Sequence, residues 1–482
     1  MERDLDWAAR AVRGKLLPPG AGKVQIDLAL VVTDSREAVP GSTYVARVGE
    51  ESDGHDYAAQ AIENGAVCVI VERPLPLGGT PQLVVAEGTR ALGDLARAHL
   101  EALRSEGEIT VIGITGSAGK TTTKDLLGHG LSRFAPTVWP KLSYNNEVGC
   151  PITILKAGEK TRYLVLEMGA SARGELAYLT KIAPLDIALV LMVGRAHLGG
   201  FGGEKALARA KSELVEGVVP GGVSVLNMDD PATRAMASLA PGPVLEFSAQ
   251  GNTSANLWAE DIRFDSSQRA RFQVVQLGAS EPVQLSLVGQ HQVSNALAAA
   301  LVMIAAGFSL KDAAQSVGGA GPASPHRMDV RELELKSGLP RRFRLVDDSY
   351  NANPDSMGAA FKAARALAGS GRLLMVLGQM LELGEESETI HAEVGADALN
   401  AAPEAVLILR GGESYIPSFP QAAAGQTTVE VAADPAEALR LLEELLSAGD
   451  TVLVKGSNGS GAWQVADGLV ERSEDAKEAA ET

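Results

Sequence analysis

The stretch Val111-Ile112-Gly113-Ile114-Thr115-Gly116-Ser117-Ala118-Gly119-Lys120-Thr121-Thr122-Thr123 decides how this chain is read. A β-branched run enters a glycine-rich turn, a Lys-Thr pair follows, and a helical pattern begins at Lys124. That order is strand, phosphate loop, helix. Glycines let backbone N–H groups curl around phosphate oxygens, Lys120 reaches the terminal phosphates, and the Thr121 hydroxyl suits a Mg²⁺ ion. Thr115, Gly116, Ser117, Ala118, Gly119, Lys120, Thr121 and Thr122 are therefore the expected nucleotide-binding residues. The competing reading is a chance glycine turn, but the Lys-Thr pair stands where a strand hands over to a helix. One departure is informative. The common pattern carries a glycine five positions before Gly119, and here that residue is Ile114. The loop is a variant, so the kind of nucleotide chemistry has to be read elsewhere in the chain.

The length of 482 residues corresponds to about three domains. A net charge of −17 argues against nucleic acid or an anionic membrane as a partner, while an anionic small substrate needs only a local basic pocket. Cys68 and Cys150 lie far apart in apolar stretches, which suggests buried thiols in a reducing, cytoplasmic setting rather than a disulfide or metal site. No secretory leader is expected, nor a run of about 18 apolar residues that would span a membrane. The alanine-rich acidic segment Glu471 to Thr482 reads as a solvated tail.

The expected fold class is α/β in three domains. Residues 1–105 read as a small mixed α/β domain with strands at Leu28–Val32, Ser42–Val45, Val67–Val71 and Gln82–Val85. Its polar clusters, Thr33-Asp34-Ser35-Arg36 and Asp53-Gly54-His55, are either turn chemistry or anion contacts, with turns leading on sequence alone. Residues 106–325 form a central phosphate-loop, ATPase-like domain with strands at Tyr163–Leu166, Ile187–Val193 and Val223–Leu226, an antiparallel extension over 243–288, and a long alanine-rich helix to Ala306. Residues 326–482 form a Rossmann-like domain, with parallel-type strands at Arg344–Val346, Leu373–Leu377, Ala405–Leu409, Val429–Val431 and Thr451–Val454.

Several residues stand where strands end. Asn145 and Asn146 either bind a ligand or tie a loop. Glu167 closes the strand Tyr163–Leu166, where a Mg²⁺ ligand often sits, although a strand-ending Glu is frequently just solvated. His197 lies in a glycine-rich loop after a strand. Lys211 shares the apolar stripe of Leu207 and Leu214; it either snorkels or, partly desolvated, keeps a reactive amine. His291 and Asn295 open the alanine-rich helix and either cap it or face a base. Three polar strand exits of the last domain, around Asp348-Ser349-Tyr350-Asn351-Ala352-Asn353, Gly378-Gln379-Met380-Leu381-Glu382 and Lys455-Gly456-Ser457-Asn458, argue for a substrate face.

These pieces, in this order, resemble the Mur ligase family over Asp34 to Lys455, and within it the branch that adds a terminal dipeptide. Its variant loop, Thr-Gly-x-x-Gly-Lys-Thr-Thr, is met by Thr115 to Thr122, and Asn145-Asn146 with Gly149 and Pro151 meets a second motif. The resemblance implies an ATP-dependent amide ligase that joins D-alanyl-D-alanine to a UDP-linked muramoyl tripeptide through an acyl phosphate. It implies two Mg²⁺ sites served by Thr121, Glu167, His197 and a carbamylated Lys211. It further implies nucleotide contacts from His291, Asn295 and Asp348, and an Arg327 that reaches the γ-phosphate. Lys120, Lys211, His197 and Arg327 become the catalytic set; Ser35, Arg36, Asn145, Asn146, Asn351 and Asn353 become the substrate-binding set. The expected partners are small molecules only, with no nucleic acid and no membrane span, and the expected state is a monomer. Departures from the family pattern are Gln292 for a usual asparagine, Arg47-Val48 for Leu-Lys, and Asn458 for a common arginine. Rival readings are another amide ligase of the same superfamily, tripeptide-forming or of the folylpolyglutamate type, and a nucleotide-dependent switch.

Overall fold

The computed structural model describes residues 1–49, 52–194, 203–321, 324–335, 341–419 and 427–475. His197 and the last residues of the acidic tail lie outside these, so the expectations for them are not addressed by the structure.

The phosphate-loop strand, Thr110–Thr115, is the spine of a nine-stranded sheet. It lies parallel between Tyr163–Glu167 and Leu185–Val190. Val111, Ile112 and Ile114 are fully buried because both faces are covered, and a strand wrapped on both faces reads as a continuous β-branched run. The sheet continues through Val218–Asn227 and Val244–Ser248, still parallel, to Leu257–Phe264. Only from there do Leu257–Phe264, Arg269–Gln276 and Ala279–Val288 pair antiparallel. The expected antiparallel extension thus begins one strand later than the sequence suggests.

The phosphate-loop helix spans Lys120–Ser132, starting four residues before the sequence pattern places it. Three threonines are poor helix formers, but Thr121 and Thr123 are buried and tertiary packing overrides their preference. The alanine-rich helix His291–Ala305 packs beside it. Small side chains permit the close approach: a Cβ on Gly130 would stand 3.0 Å from the Met303 sulfur.

The first part of the chain builds a five-stranded sheet in the order Lys15–Leu17, Gln82–Val84, Cys68–Val71, Thr43–Val45, Val31–Val32, with only the first strand antiparallel. A two-stranded ribbon, Glu2–Asp4 with Gln25–Asp27, is an addition the sequence did not suggest; its strands are short and charged. The helix Gly88–Glu106 buries Leu92, Leu95 and Leu100 in one apolar core with Cys150, Ile154 and Leu179 of the phosphate-loop unit. The first sheet is thereby locked to the second.

The third sheet runs Thr428–Ala432, Ala405–Leu409, Leu373–Leu377, Thr451–Lys455, Arg342–Asp348, all parallel, and then adds Asp329–Leu335 and Ser473–Asp475 antiparallel at its edge. The two edge strands are absent from the sequence reading. Separate apolar clusters cover its two faces, one built on Met357, Phe361 and Ile390, the other on Leu439, Leu442 and Val465. Among the described residues, no helix is long and apolar enough to cross a membrane.

Candidate active site

The carboxyl ends of the second and third sheets face one cleft of about 1770 Å³, which also reaches the helix start at Glu87 to Arg90. The phosphate loop forms its floor. Gly119 has φ +83°, and a Cβ there would meet Asn295 Oδ1 at 2.4 Å, so conformation and space both require glycine. Ser117 is braced from two sides: its N–H donates to Met192 O at 2.9 Å, and its hydroxyl accepts from Gly194 N at 2.9 Å. The Lys120 ammonium folds back onto Gly116 O at 2.7 Å. Burial pushes the Lys120 pKa down, opposed by the negative charge of Glu167.

Glu167 is buried at the end of its strand. Its Oε1 accepts from Ser143 Oγ at 2.6 Å and from Asn145 Nδ2 at 3.0 Å. Among the described residues its Oε2, which is buried, has no hydrogen-bond partner. An unpaired buried carboxylate oxygen is costly, and its placement beside the phosphate loop fits a cation. Asn145 thus orients Glu167. Asn146 Oδ1 accepts from Gly149 N at 2.9 Å and so ties the start of the helix Gly149–Leu155, while both residues line the cleft. Lys211 is 2% exposed on the same wall. Burial, then the positive charge of Lys120, pushes its pKa down to about 7. Among the described residues no three His, Cys, Asp or Glu side chains converge as a metal site; one acid and a neutralisable lysine stand there instead.

The nucleotide-facing helix start is a hydrogen-bonded chain. Asn295 Nδ2 donates to Gln292 Oε1 at 2.8 Å, and Gln292 Nε2 lies 2.9 Å from His291 Nε2. That arrangement makes His291 Nε2 the acceptor, and burial pushes the ring's pKa down. Gln292, a departure from the family pattern, is what links the two expected contacts.

The third sheet supplies the opposite wall. Arg327 sits between His326 and Met328, whose φ values are +58° and +51°. The guanidinium donates from Nη2 to Thr121 Oγ1 at 3.1 Å, stacks 4.3 Å from the Tyr350 ring centroid, and keeps Nε buried and unpaired. Asn353 spends its side chain on the helix Pro354–Ala368, accepting from Ser356 N at 2.9 Å, and on the phosphate loop, donating to Ser117 O at 3.2 Å. Asn351 lines the cleft, its Oδ1 accepting from Ala352 N. Asp348 is paired with Lys455, which also donates to Asn351 O at 3.0 Å. That ion pair joins two strand exits and is almost wholly buried, at 1% and 12% side-chain exposure. Lys455→Met is expected to lower stability by about 3–5 kcal/mol in urea unfolding, because it leaves the Asp348 carboxylate buried without a counter-charge.

Ser35 and Arg36 are not brought to the cleft. Ser35 Oγ donates to Gln60 Oε1 at 2.8 Å, and Arg36 pairs with its neighbour Asp34 at 2.6 Å on the surface. Nearby, Asp53 is held by His55 and Arg73. Ser143 was given no site role by sequence reading, and Tyr350 and Lys455 were named only within strand exits read together as a substrate face. Each sits one or a few residues from a motif, and only their contacts distinguish them.

Three family models match the chain: "Mur ligase family, catalytic domain" over residues 27–99, "Mur ligase middle domain" over 114–303, and "Mur ligase, glutamate ligase domain" over 326–458. The chain is 39% identical to the UDP-N-acetylmuramoyl-tripeptide–D-alanyl-D-alanine ligase of Mycobacterium leprae, across 91% of this chain and 92% of that one. The crystal structure of MurF from Acinetobacter baumannii superposes with a TM-score of 0.84 at 31% identity, covering 98% of this chain and 99% of that one. MurF ligase from Thermotoga maritima in complex with ADP gives 0.75 at 29% identity, covering 92% and 98%. The phosphate loop without its early glycine, the three sheets around one cleft and these matches agree: the chain belongs to the Mur ligase family.

Proposed function

We propose that this chain is the dipeptide-adding Mur ligase, joining D-alanyl-D-alanine to UDP-N-acetylmuramoyl-tripeptide at the cost of ATP in the cytoplasmic synthesis of peptidoglycan precursor. The observation that carries the proposal is the contact of Arg327 with Thr121, which brings a cation from the third sheet onto a loop built for triphosphate. ATP lies along Gly116 to Thr122, where backbone N–H groups and Lys120 meet its phosphates. His291, Asn295 and Asp348 attend the nucleoside end. The tripeptide's terminal carboxylate attacks the γ-phosphorus, the bond to ADP breaks, and an acyl phosphate forms. Carboxylate and triphosphate repel each other, and Lys120 and Arg327 neutralise the charge as they meet. The dipeptide amine then attacks the acyl carbon, phosphate leaves, and the amide is made. The third sheet shields the acyl phosphate from water.

Thr121 and the unpaired Glu167 oxygen would hold Mg²⁺, and a carbamylated Lys211 with His197 would serve a second ion. Bound there, Mg²⁺ would supply positive charge to offset the negative charge of the phosphates. Ser35 and Arg36 belong to the uridine end in this reading, Asn145 and Asn146 to the peptide, and Asn351 and Asn353 to the dipeptide side. The roles of the three units are nucleotide-sugar binding for 1–105, ATP binding for 106–325, and closure with dipeptide binding for 326–482. The enzyme acts as a monomer. Mass spectrometry of the product from UDP-tripeptide, ATP and D-Ala-D-Ala tests the proposal. Growth by one dipeptide is expected; growth only with diaminopimelate, lysine or glutamate, or ATP hydrolysis without a new amide, overturns it.

A further inference from the structure

The chain passes from the phosphate-loop unit to the third sheet through Ser324 to Met328, and this short segment is tied on both sides. Ser324 Oγ donates to Asp125 Oδ2 at 2.6 Å, and Asp125 is paired at 2.8 Å with the fully buried Lys124 of the phosphate-loop helix. Met328 N donates to Asp348 Oδ1 at 3.2 Å, and Tyr350 N donates to His326 O at 3.2 Å. Between these ties His326 and Met328 both take the left-handed backbone, with φ +58° and +51°. L-residues hold that conformation where surrounding bonds over-determine it. Arg327 stands between the two and is the residue that reaches Thr121. The His326 side chain supplies a further tie. Its Nδ1 donates to Asp347 Oδ2 at 2.7 Å, while Asp347 Oδ1 accepts from Ser349 N and Oγ. Its Nε2 lies 3.9 Å from Asp467 Oδ1 on the helix Ala462–Glu471, whose Trp463 ring flanks the imidazole at 6.3 Å. A third acid, Asp329, stands opposite Asp347 in the neighbouring strand and is paired with Arg331 at 2.6 Å. The hydrogen bond to Asp347 raises the His326 pKa, burial opposes it, and the charges of Asp347, Asp467 and Asp329 add to it. A neutral ring would keep the Nδ1 bond but turn a lone pair toward the Asp467 carboxylate, whereas an imidazolium attracts both acids.

We propose that His326 is a positioning residue: as an imidazolium between Asp347 and Asp467, it holds the strained segment that carries Arg327 onto the phosphate loop. This rests on the ligase reading above, in which Arg327 meets the transferring phosphate, and adds to it a dependence on pH. The charged form gives its stabilisation in full below the ordinary histidine value of 6.5 and loses it as the pH rises through the raised value of the folded protein. Once the charge is lost, the segment is free to relax and Arg327 to withdraw from Thr121.

The ratio of wild-type to variant rate, followed against pH, tests this, because ionisations common to both enzymes cancel. His326→Gln keeps a neutral donor for Asp347 and removes the charge. Its amide formation is expected to be about tenfold slower than wild type at about pH 6, the difference between a charge-assisted and a neutral hydrogen bond. The ratio is expected to fall toward unity as the pH rises through the titration of the imidazolium. His326→Lys should recover part of the rate at about pH 6 and hold it at higher pH, since an ammonium stays charged. Asp467 is half-exposed on its helix, and Asp467→Asn should lose activity at a lower pH than wild type. That variant carries the test if a thermal unfolding curve shows that His326→Gln folds poorly. A ratio that stays constant across pH would make His326 a packing residue and overturn the inference. So would a His326→Gln enzyme that matches wild type at about pH 6, or an Asp467→Asn enzyme whose alkaline limb is unmoved. A wild-type enzyme that consumes ATP yet forms no amide at any pH overturns the ligase reading itself, a result that needs no variant.

Discussion

Lys120→Ala is expected to lower amide formation by about 10³-fold or more, on the scale of removing a cation from a phosphoryl-transfer site, with little change in folding. The ammonium's only described hydrogen bond is to Gly116 O, so the folded state loses about 1 kcal/mol or less with it. The loop's shape is held by other means: the positive φ of Gly119, the anchors on Ser117, and the Asn353 contact to Ser117 O. Charge grows on the transferring phosphoryl group as the carboxylate approaches, and no neighbouring side chain replaces a lysine that rises from the loop itself. Initial rates of ADP release, taken with a thermal unfolding curve, check both halves of the statement. Near-normal turnover would remove the loop from catalysis and with it the ATP assignment.

Lys211→Ala is expected to be similarly inactive and to regain part of its activity when short-chain carboxylates such as acetate are added. Lys211 is buried beside another cation, and its pKa falls to about 7. A large fraction of its amine is then neutral at neutral pH, and a neutral amine adds carbon dioxide, releasing a proton and presenting two carboxylate-like oxygens. Because the amine must be deprotonated first, the modified fraction should rise with pH through about 7. A cavity left by the alanine admits a small carboxylate into the same space. Titrating acetate into the variant, with propanol as a control for simple cavity filling, reads this out. Absence of any rescue would count against carbamylation while leaving a catalytic role for the amine open to Lys211→Arg.

Both predictions depend on neighbours far apart in the chain, and they mark where sequence reading runs out. The strand, loop and helix around Gly119 were legible because their determinants are local: a β-branched run, a residue free to take positive φ, and a Lys-Thr pair at the junction. The parallel strands of the third sheet were legible for the same reason, since strands covered on both faces are continuously apolar. The strands Asp329–Leu335 and Ser473–Asp475 were not, because they lie at the margin of the sheet, where Ser473–Asp475 has one partner, and both are rich in charged residues. For Ser35 and Arg36 the residue types suit anion binding, and the fold adds what the sequence does not carry: they bond to Gln60 and Asp34 outside the lining of the cleft.

The amino-acid sequence by itself determined the phosphate loop, its variant spacing and the order of three α/β units, since backbone conformation and periodicity are encoded within a few residues. Which side chains share the cleft was decided only by tertiary structure. Arg327 meets Thr121 across 206 positions and Asn353 meets Ser117 across 236, separations at which no local pattern carries information. Burial did the rest. It lowers the pKa of Lys211, strands one oxygen of Glu167 and pairs Asp348 with Lys455, because the charge state of a buried group is set by what the fold packs around it.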